Sequence, residues 1–316
     1  MSCPTKEKKS DYLNRIFLCL TKERTFNFIK TDRKRVLMKP KLARFAQASA
    51  LACPLCQQSL AMEESSLKCL NRHSYDIAKF GYVNLAPQVK QARDYDKTSF
   101  QNRKVILEAG FYQHILDELQ DLLQTLPEEQ TILDVACGEG YYARKIQEKF
   151  PNKEIYAFDL SKDSIQLSAK SDQSLAVKWF VGDLAHLPVQ DQSMDVLLDI
   201  FSPANYHEFQ RVLKKEGLII KVIPTENHLK EIRAKVADQL RQKDYSNQQV
   251  IQHLEENFQI IHEKDTQALV SLTPKTKEAI LKMTPLLFHV YQNKIDWSNL
   301  NQVTIAAKIL LAKRRV

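Results

Sequence analysis

"ILDVACGEGYYARKI", Ile132–Ile146, decides how this chain is read. The apolar residues around Asp134 read as a buried strand, a turn carries Gly138 and Gly140, and Tyr141 opens a helix. Glycine in such a turn tolerates unusual dihedrals and lets the backbone pass close to a ligand. The stretch has no Gly-Lys-Ser/Thr of a phosphate-binding loop and lacks the third glycine of the dinucleotide pattern. Gly-x-Gly alone is a weak signal. Asp159 strengthens it, because it ends the next strand 19 residues after Gly140. That is close to the roughly 20-residue offset at which a carboxylate meets ribose hydroxyls. "VGDLAHLP" adds Asp183, with Leu184 beside it, at the end of a third strand where an adenine can be held. A ribose clamp without a phosphate clamp fits S-adenosylmethionine better than a nucleotide phosphate.

Outward from that turn, strands and helices alternate. "TILDVA", "EIYAFDL", "AVKWFVGD", "MDVLLDIF" and "GLIIKVIP" read as strands, with helices at Tyr141, "KDSIQLSAK" and "YHEFQRVLKK" between them. Such alternation predicts crossover connections and a mainly parallel, doubly wound sheet. "FQIIHEKD" and "VTIAAKILLAKR" predict an antiparallel pair at its edge. Upstream, Ile115, Leu119, Leu122, Leu123 and Leu126 recur at spacings of three and four, predicting helix from about Val105. "SPAN", Ser202–Asn205, follows the fourth strand, where the acceptor is expected. Asp199, Ser202, Asn205 and His207 are therefore the candidates for catalysis, and the sequence does not choose among them.

A second pattern precedes the first. Cys53-x2-Cys56, twelve residues, then Cys69-x3-His73 predicts two short ligand pairs facing each other, the usual build of a structural tetrahedral zinc site. Cys3, Cys19 and Cys137 have no partner spacing and read as ordinary thiols. No apolar run approaches the roughly 20 residues of a membrane span. The expectation is a cytoplasmic protein, where paired cysteines more often mean metal than disulfide.

Charge divides the chain. Residues 1–37 hold 10 Lys/Arg against 4 Asp/Glu, residues 38–104 hold 11 against 5, and residues 105–316 hold 25 against 29. The basic excess thus sits in and before the metal module, which suggests that the N-terminal third faces a polyanion. Residues 1–37 lack a packing period and a motif, and "MKPKLARFAQASALACPLC" reads as a natural start, so they read as a dispensable extension. The expected organisation is a zinc-binding module over 38–88, a polar linker over 89–104 and a cofactor-binding domain over 105–316.

"CPLC", "KCLNRHSYDIAKFGYVNL", "EAGFYQ", "DVACGEGYY" and "IPTENHL" together resemble the RlmA family of 23S rRNA (guanine-N1)-methyltransferases, in its Gram-positive branch. The resemblance implies a class I methyltransferase, an α/β Rossmann-like domain, behind an N-terminal zinc ribbon that recognises RNA. It implies that Tyr112, Gly138, Glu139 and His228 line the donor site, beside Asp134, Gly140, Asp159, Asp183 and Leu184. It implies methyl transfer to N1 of a guanine in a 23S rRNA hairpin loop, at a position of the 748 type rather than 745. A homodimer is allowed and a membrane partner is not expected. Read from residues alone, Tyr112 is equally a core aromatic and His228 a helix-start histidine. A small-molecule methyltransferase with a structural zinc module, or a non-enzymatic RNA-binding protein, stay open as alternatives.

Overall fold

The computed structural model describes residues 39–89, 97–240, 246–288 and 290–315. The extension expected over 1–37 lies outside the described residues. After a single helical turn at Pro40–Ala43, strands β1 (Ala61–Glu63), β2 (Ser66–Lys68) and β3 (Ser74–Asp76) form a small antiparallel sheet. The short strand β4 (Tyr82–Asn84) leaves that sheet. Helices α1 (Lys97–Glu108) and α2 (Gln113–Gln124) follow, separated at Gly110, whose φ of +82° is left-handed and ends the first helix. The helical run expected from Val105 is therefore two helices. Residues 97–104 of the expected linker are helix, and residues 90–96 lie outside the described residues.

The alternating part then runs β5 (Thr131–Val135), α3 (Tyr141–Lys149), β6 (Glu154–Asp159), α4 (Lys162–Ser171), β7 (Lys178–Val181), β8 (Met194–Ile200), α5 (Tyr206–Val212) and β9 (Leu213–Pro224). It ends with α6 (Lys230–Lys235), α7 (Gln248–Asn257), β10 (Phe258–Ser271), α8 (Pro274–Met283) and β11 (Gln302–Arg314). The main sheet has the order β10-β11-β9-β8-β5-β6-β7-β4. Its pairs from β9 to β4 are parallel, while β10 and β11 close the other edge antiparallel, as the sequence predicts. Four of the five β5 residues are buried in succession, the mark of a strand covered on both faces.

One cover is helical. Ile132, Ala157, Trp179 and Leu198 pack towards buried residues of α1–α4 such as Leu107, Ile115, Ile146 and Ile165. The other cover is partly the metal module. Leu133, Tyr156, Phe158 and Phe180 pack with Phe45, Leu51, Leu60, Leu67, Val83 and Leu85, and with Phe209 of α5. Strand β4 pairs Tyr82, Val83 and Asn84 with Trp179, Phe180 and Val181 of β7. The module is thus joined to the catalytic sheet by an apolar interface and a strand, and the described residues from Pro40 onward form one compact unit.

Candidate active site and candidate metal centre

Ligands of open α/β sheets sit beyond the carboxyl ends of the strands. There the chain places buried acids that keep carboxylate oxygens free of hydrogen bonds. Asp134, on β5, is 2% exposed. It accepts the Ala143 backbone N–H, yet its Oδ2 has no hydrogen-bond partner. Burial raises its pKa to about 8 against the pull of Arg103 and that N–H. Glu139 is equally buried, and neither of its carboxylate oxygens has a hydrogen-bond partner. Arg103 Nε of α1 approaches it to 3.3 Å, and burial holds its pKa up. The Tyr142 hydroxyl is also buried without a partner.

Asp159, ending β6, holds the turn itself. Its Oδ2 accepts the Gly138 N–H at 3.0 Å and its Oδ1 the Ser161 N–H at 2.8 Å. Burial raises its pKa and these two amides lower it. The two glycines differ in purpose. Gly138 has φ +58°, and a Cβ there meets nothing nearer than the Arg103 guanidinium at 3.8 Å. Gly140 has φ +72°, and a Cβ there lies 2.5 Å from Trp179. A side chain at Gly138 would meet only ordinary contact with Arg103, whereas Gly140 lets helix α3 pack onto β7. Asp183 makes a local turn, accepting the Ala185 N–H at 2.9 Å, and the Leu184 carbonyl accepts from Asn205 Nδ2 at 3.0 Å.

Beside the turn lies a cavity of about 470 Å³, reached by Arg103, Tyr112, Tyr142, Ser202, Lys221 and His228. Of the residues expected at the donor site, Tyr112 and His228 are in its wall, whereas Asp134, Gly138, Glu139, Gly140, Asp159, Asp183 and Leu184 are not. Tyr112, Phe201 and His228 make an aromatic cluster, with ring centroids 5.7–6.1 Å apart. His228 Nδ1 accepts the Ala306 N–H at 3.2 Å, which puts the ring proton on Nε2. Burial lowers its pKa to about 4, so it is neutral at pH 7. Phe201 and Leu229, at the two sides, take left-handed φ values of 54°. Such values in bulky residues are strained and cluster at functional sites.

The four candidates beyond β8 separate. Asn205 is occupied, its Oδ1 capping α5 through the Glu208 N–H and its Nδ2 bound to Leu184. The His207 side chain is 88% exposed and points at Glu208, 3.8 Å away. Asp199 is fully buried between Ser202 and Lys221, and only Ser202 of the four reaches the cavity. The sequence reading missed Arg103, because it falls where a linker is expected. It also missed Lys221, a single cation in the apolar run "GLIIKVIP", which is a visible signal in a buried strand.

The predicted metal ligands come together. The Cys53, Cys56, Cys69 and His73 ligand atoms all lie within 4.8 Å of one another. Cys56 Sγ is 3.7 Å from Cys69 Sγ, and His73 Nδ1 is 3.4 Å from Cys53 Sγ and 3.5 Å from Cys69 Sγ. A tetrahedron with metal–sulfur bonds near 2.3 Å has sulfur–sulfur edges of about 3.8 Å, so the set fits zinc. The Tyr75 hydroxyl, 3.3 Å from Cys53 Sγ, is placed to donate to that sulfur, as outer partners of metal ligands do.

Comparison with known proteins agrees with both halves. The family described as RlmA, N-terminal matches residues 51–93, and that described as Methyltransferase domain matches residues 132–217. Bacillus subtilis YxjB, named for 23S rRNA (guanine-N(1)-)-methyltransferase activity, is 33% identical over 265 residues, 81% of this chain and 93% of the relative. The chain belongs to the RlmA family of 23S rRNA (guanine-N1)-methyltransferases. The 23S rRNA (guanine(748)-N(1))-methyltransferase of Streptomyces fradiae is 24% identical over 246 residues, 76% of this chain and 86% of that one. The chain is an S-adenosylmethionine-dependent enzyme with a class I methyltransferase fold and an N-terminal zinc-ribbon region. Among the described residues, no helix is long and apolar enough to cross a membrane.

Proposed function

We propose that this RlmA-family enzyme methylates N1 of a guanine in a hairpin loop of 23S rRNA, at a position of the 748 type. The observation that carries the donor half is the set of buried carboxylate oxygens on Asp134 and Glu139 without hydrogen-bond partners. Buried oxygens short of hydrogen bonds are costly even where Arg103 faces Glu139, and a cationic ligand satisfies them. S-adenosylmethionine supplies a methyl group on a positively charged sulfur, and its amino group is a second cation. Asp134 and Glu139 hold the amino-acid end, with Arg103 facing its carboxylate. Asp159 takes the ribose, while Asp183 and Leu184 take the adenine. Tyr112 and His228 close the wall beside the reacting centre. Cys53, Cys56, Cys69 and His73 hold one structural Zn²⁺.

The acceptor half is supported by kinship with YxjB and with the Streptomyces enzyme, and by the basic excess over residues 38–104. N1 lies on the pairing edge of guanine, so the target is an unpaired or extruded base. Primer extension on 23S rRNA, with and without the enzyme, tests the reading, because a methyl on N1 stops copying there. A stop at a loop guanine near position 748 is expected, and no enzyme-dependent stop overturns it.

Two measurements probe the halves separately. Asp134 holds its proton below about pH 8 in the free enzyme. A cation at its side drives it to ionise, so donor binding should release a proton and tighten as pH rises from about 6 to 8. Calorimetry in buffers of different ionisation enthalpy reads that release, and Asp134→Asn should abolish it. On the RNA side, replacing Lys68, Arg72 and Lys79 together by Ala should weaken rRNA binding. It should also flatten the dependence on log salt by up to about three charges' worth. Lys68 sits 3.0 Å from Glu63, so its share is the smallest of the three.

A further inference from the structure

Three linked groups, two in the cavity wall and one behind it, have no part in the donor reading. Asp199 of β8 and Lys221 of β9 are register partners, and Lys221 Nζ donates to Asp199 Oδ2 at 2.5 Å. Ser202 Oγ donates to Asp199 Oδ1 at 2.6 Å. Ser202 and Lys221 reach the cavity wall, and Asp199 joins them from behind. Their neighbours along the two strands, Leu198, Ile200, Ile220 and Val222, are all buried hydrophobics. An apolar pair would serve stability there at least as well as a buried ion pair. The chain also accepts the strained Phe201 backbone between Asp199 and Ser202.

We infer that Lys221 and Ser202 read the O6–N1 edge of the acceptor guanine, and that Asp199 is the positioning residue that fixes both. The inference rests on the reading that the acceptor is guanine N1. Guanine presents an acceptor, O6, beside a donor, N1–H. An ammonium only donates, so Lys221 suits O6. The Ser202 proton is spent on Asp199, which leaves the hydroxyl lone pairs to accept N1–H. Adenine presents the reverse order, an amino group and a bare N1, and would leave both protein groups without a partner.

The same arrangement moves the proton that the reaction must release. Ser202 Oγ takes the N1 proton while its own passes to Asp199 Oδ1, and the N1–H electron pair stays on N1. That pair forms the bond to the methyl carbon as the carbon–sulfur bond breaks, its electrons going to sulfur. The product is a neutral thioether, and Asp199 returns one proton to water. Lys221 stays charged throughout and faces the negative charge that builds on O6. Burial already raises the Asp199 pKa against the pull of Lys221 and Ser202, so a proton is not foreign to it. Tyr206 of α5 also feels the Asp199 charge, which adds to the rise that burial gives its pKa, and Arg103, Tyr112, Tyr142, His228 and Arg233 are the ionisable groups that share the cavity wall with Lys221.

The test uses the full chain and 23S rRNA transcripts carrying guanine, inosine or adenine at the modified position. Wild type should methylate guanine and inosine, which share O6 and N1–H, and ignore adenine. Ser202→Ala should lower kcat about a hundredfold while donor affinity and rRNA affinity stay within about threefold. Its residual rate should climb about tenfold per pH unit, because the N1 proton must then leave to solvent. Lys221→Met alone strands the buried Asp199 charge and destabilises the fold, so the pair Asp199→Asn/Lys221→Met is the second variant. It should bind the donor normally, transfer slowly and lose its preference for guanine over adenine. Rates within threefold of wild type in both variants, with discrimination intact, would overturn the inference. A wild type that modifies no guanine sinks the reading beneath it as well.

Discussion

Gly140→Ala should cost the enzyme about 3 kcal/mol of stability or more, while Gly138→Ala should cost about 1–2 kcal/mol and abolish tight donor binding. Both positions have left-handed φ, which costs an alanine roughly 1–2 kcal/mol. At Gly140 a methyl also lands 2.5 Å and 2.7 Å from two ring atoms of Trp179 and 2.8 Å from Ser168 Cβ. Trp179 is fully buried, bound through Nε1 to Asp172 at 3.0 Å, and β7 holds it in the sheet. It has nowhere to go, so overpacking adds about 1–3 kcal/mol. At Gly138 the nearest atoms belong to the end of the Arg103 side chain, 3.8 Å away, which is ordinary contact. The methyl then enters the space that the proposed donor site needs. Thermal unfolding and donor calorimetry on the two variants separate these effects. Equal losses of stability would show that both glycines serve packing alone.

The parallel sheet, its antiparallel edge and the glycine turn after β5 were legible because each is written locally. Asp134, Gly138, Gly140 and Asp159 lie within 26 residues, counted from 134 to 159, and buried strands read as unbroken apolar runs. The cluster of Cys53, Cys56, Cys69 and His73 was legible for the same reason. Strand β4 was not, since Tyr82–Asn84 is three residues long and its partner β7 begins almost a hundred residues later. Helix α1 was hidden because only Phe100, Ile106 and Leu107 of its twelve residues are buried, too few to impose a period on "KTSFQNRKVILE". Arg103 was lost with it. Helix α5 ends at Val212, earlier than its sequence suggests, because the chain from Leu213 is drawn into β9. Periodicity and spacing could not give the aromatic cluster, since Tyr112, Phe201 and His228 come from three distant segments; the family resemblance joined Tyr112 to His228 but not Phe201.

Removing the metal should reach further than the sequence suggests. Read along the chain, the Cys53–His73 module is an appendage whose loss weakens RNA binding and leaves the donor domain intact. In the folded enzyme its first knuckle is stitched to the loop that we propose holds the adenine. Ala52 N–H donates to the Pro188 carbonyl at 2.9 Å, and Gln190 N–H donates to that of Ala50 at 2.8 Å. Leu51 and Val189 form an isolated bridge, and Gln57 Nε2 lies 2.7 Å from His186 Nε2. Below them Leu85 N–H donates to Val181, the last residue of β7 before Gly182 and Asp183. Structural zinc contributes folding free energy directly, so a chelator, or Cys56→Ser with Cys69→Ser, should loosen residues 51–60. The apolar interface through Leu51, Leu60 and Val83 should keep the module attached. The slack then passes to residues 183–190, and donor affinity should fall about tenfold, roughly 1.4 kcal/mol. Hydrogen exchange at the amides of Ala52, Leu85 and Gln190 should accelerate alongside, and calorimetry reads the donor. Unchanged donor affinity with unchanged exchange at Gln190, in protein shown to have lost its metal, would mean that the two sites are mechanically independent.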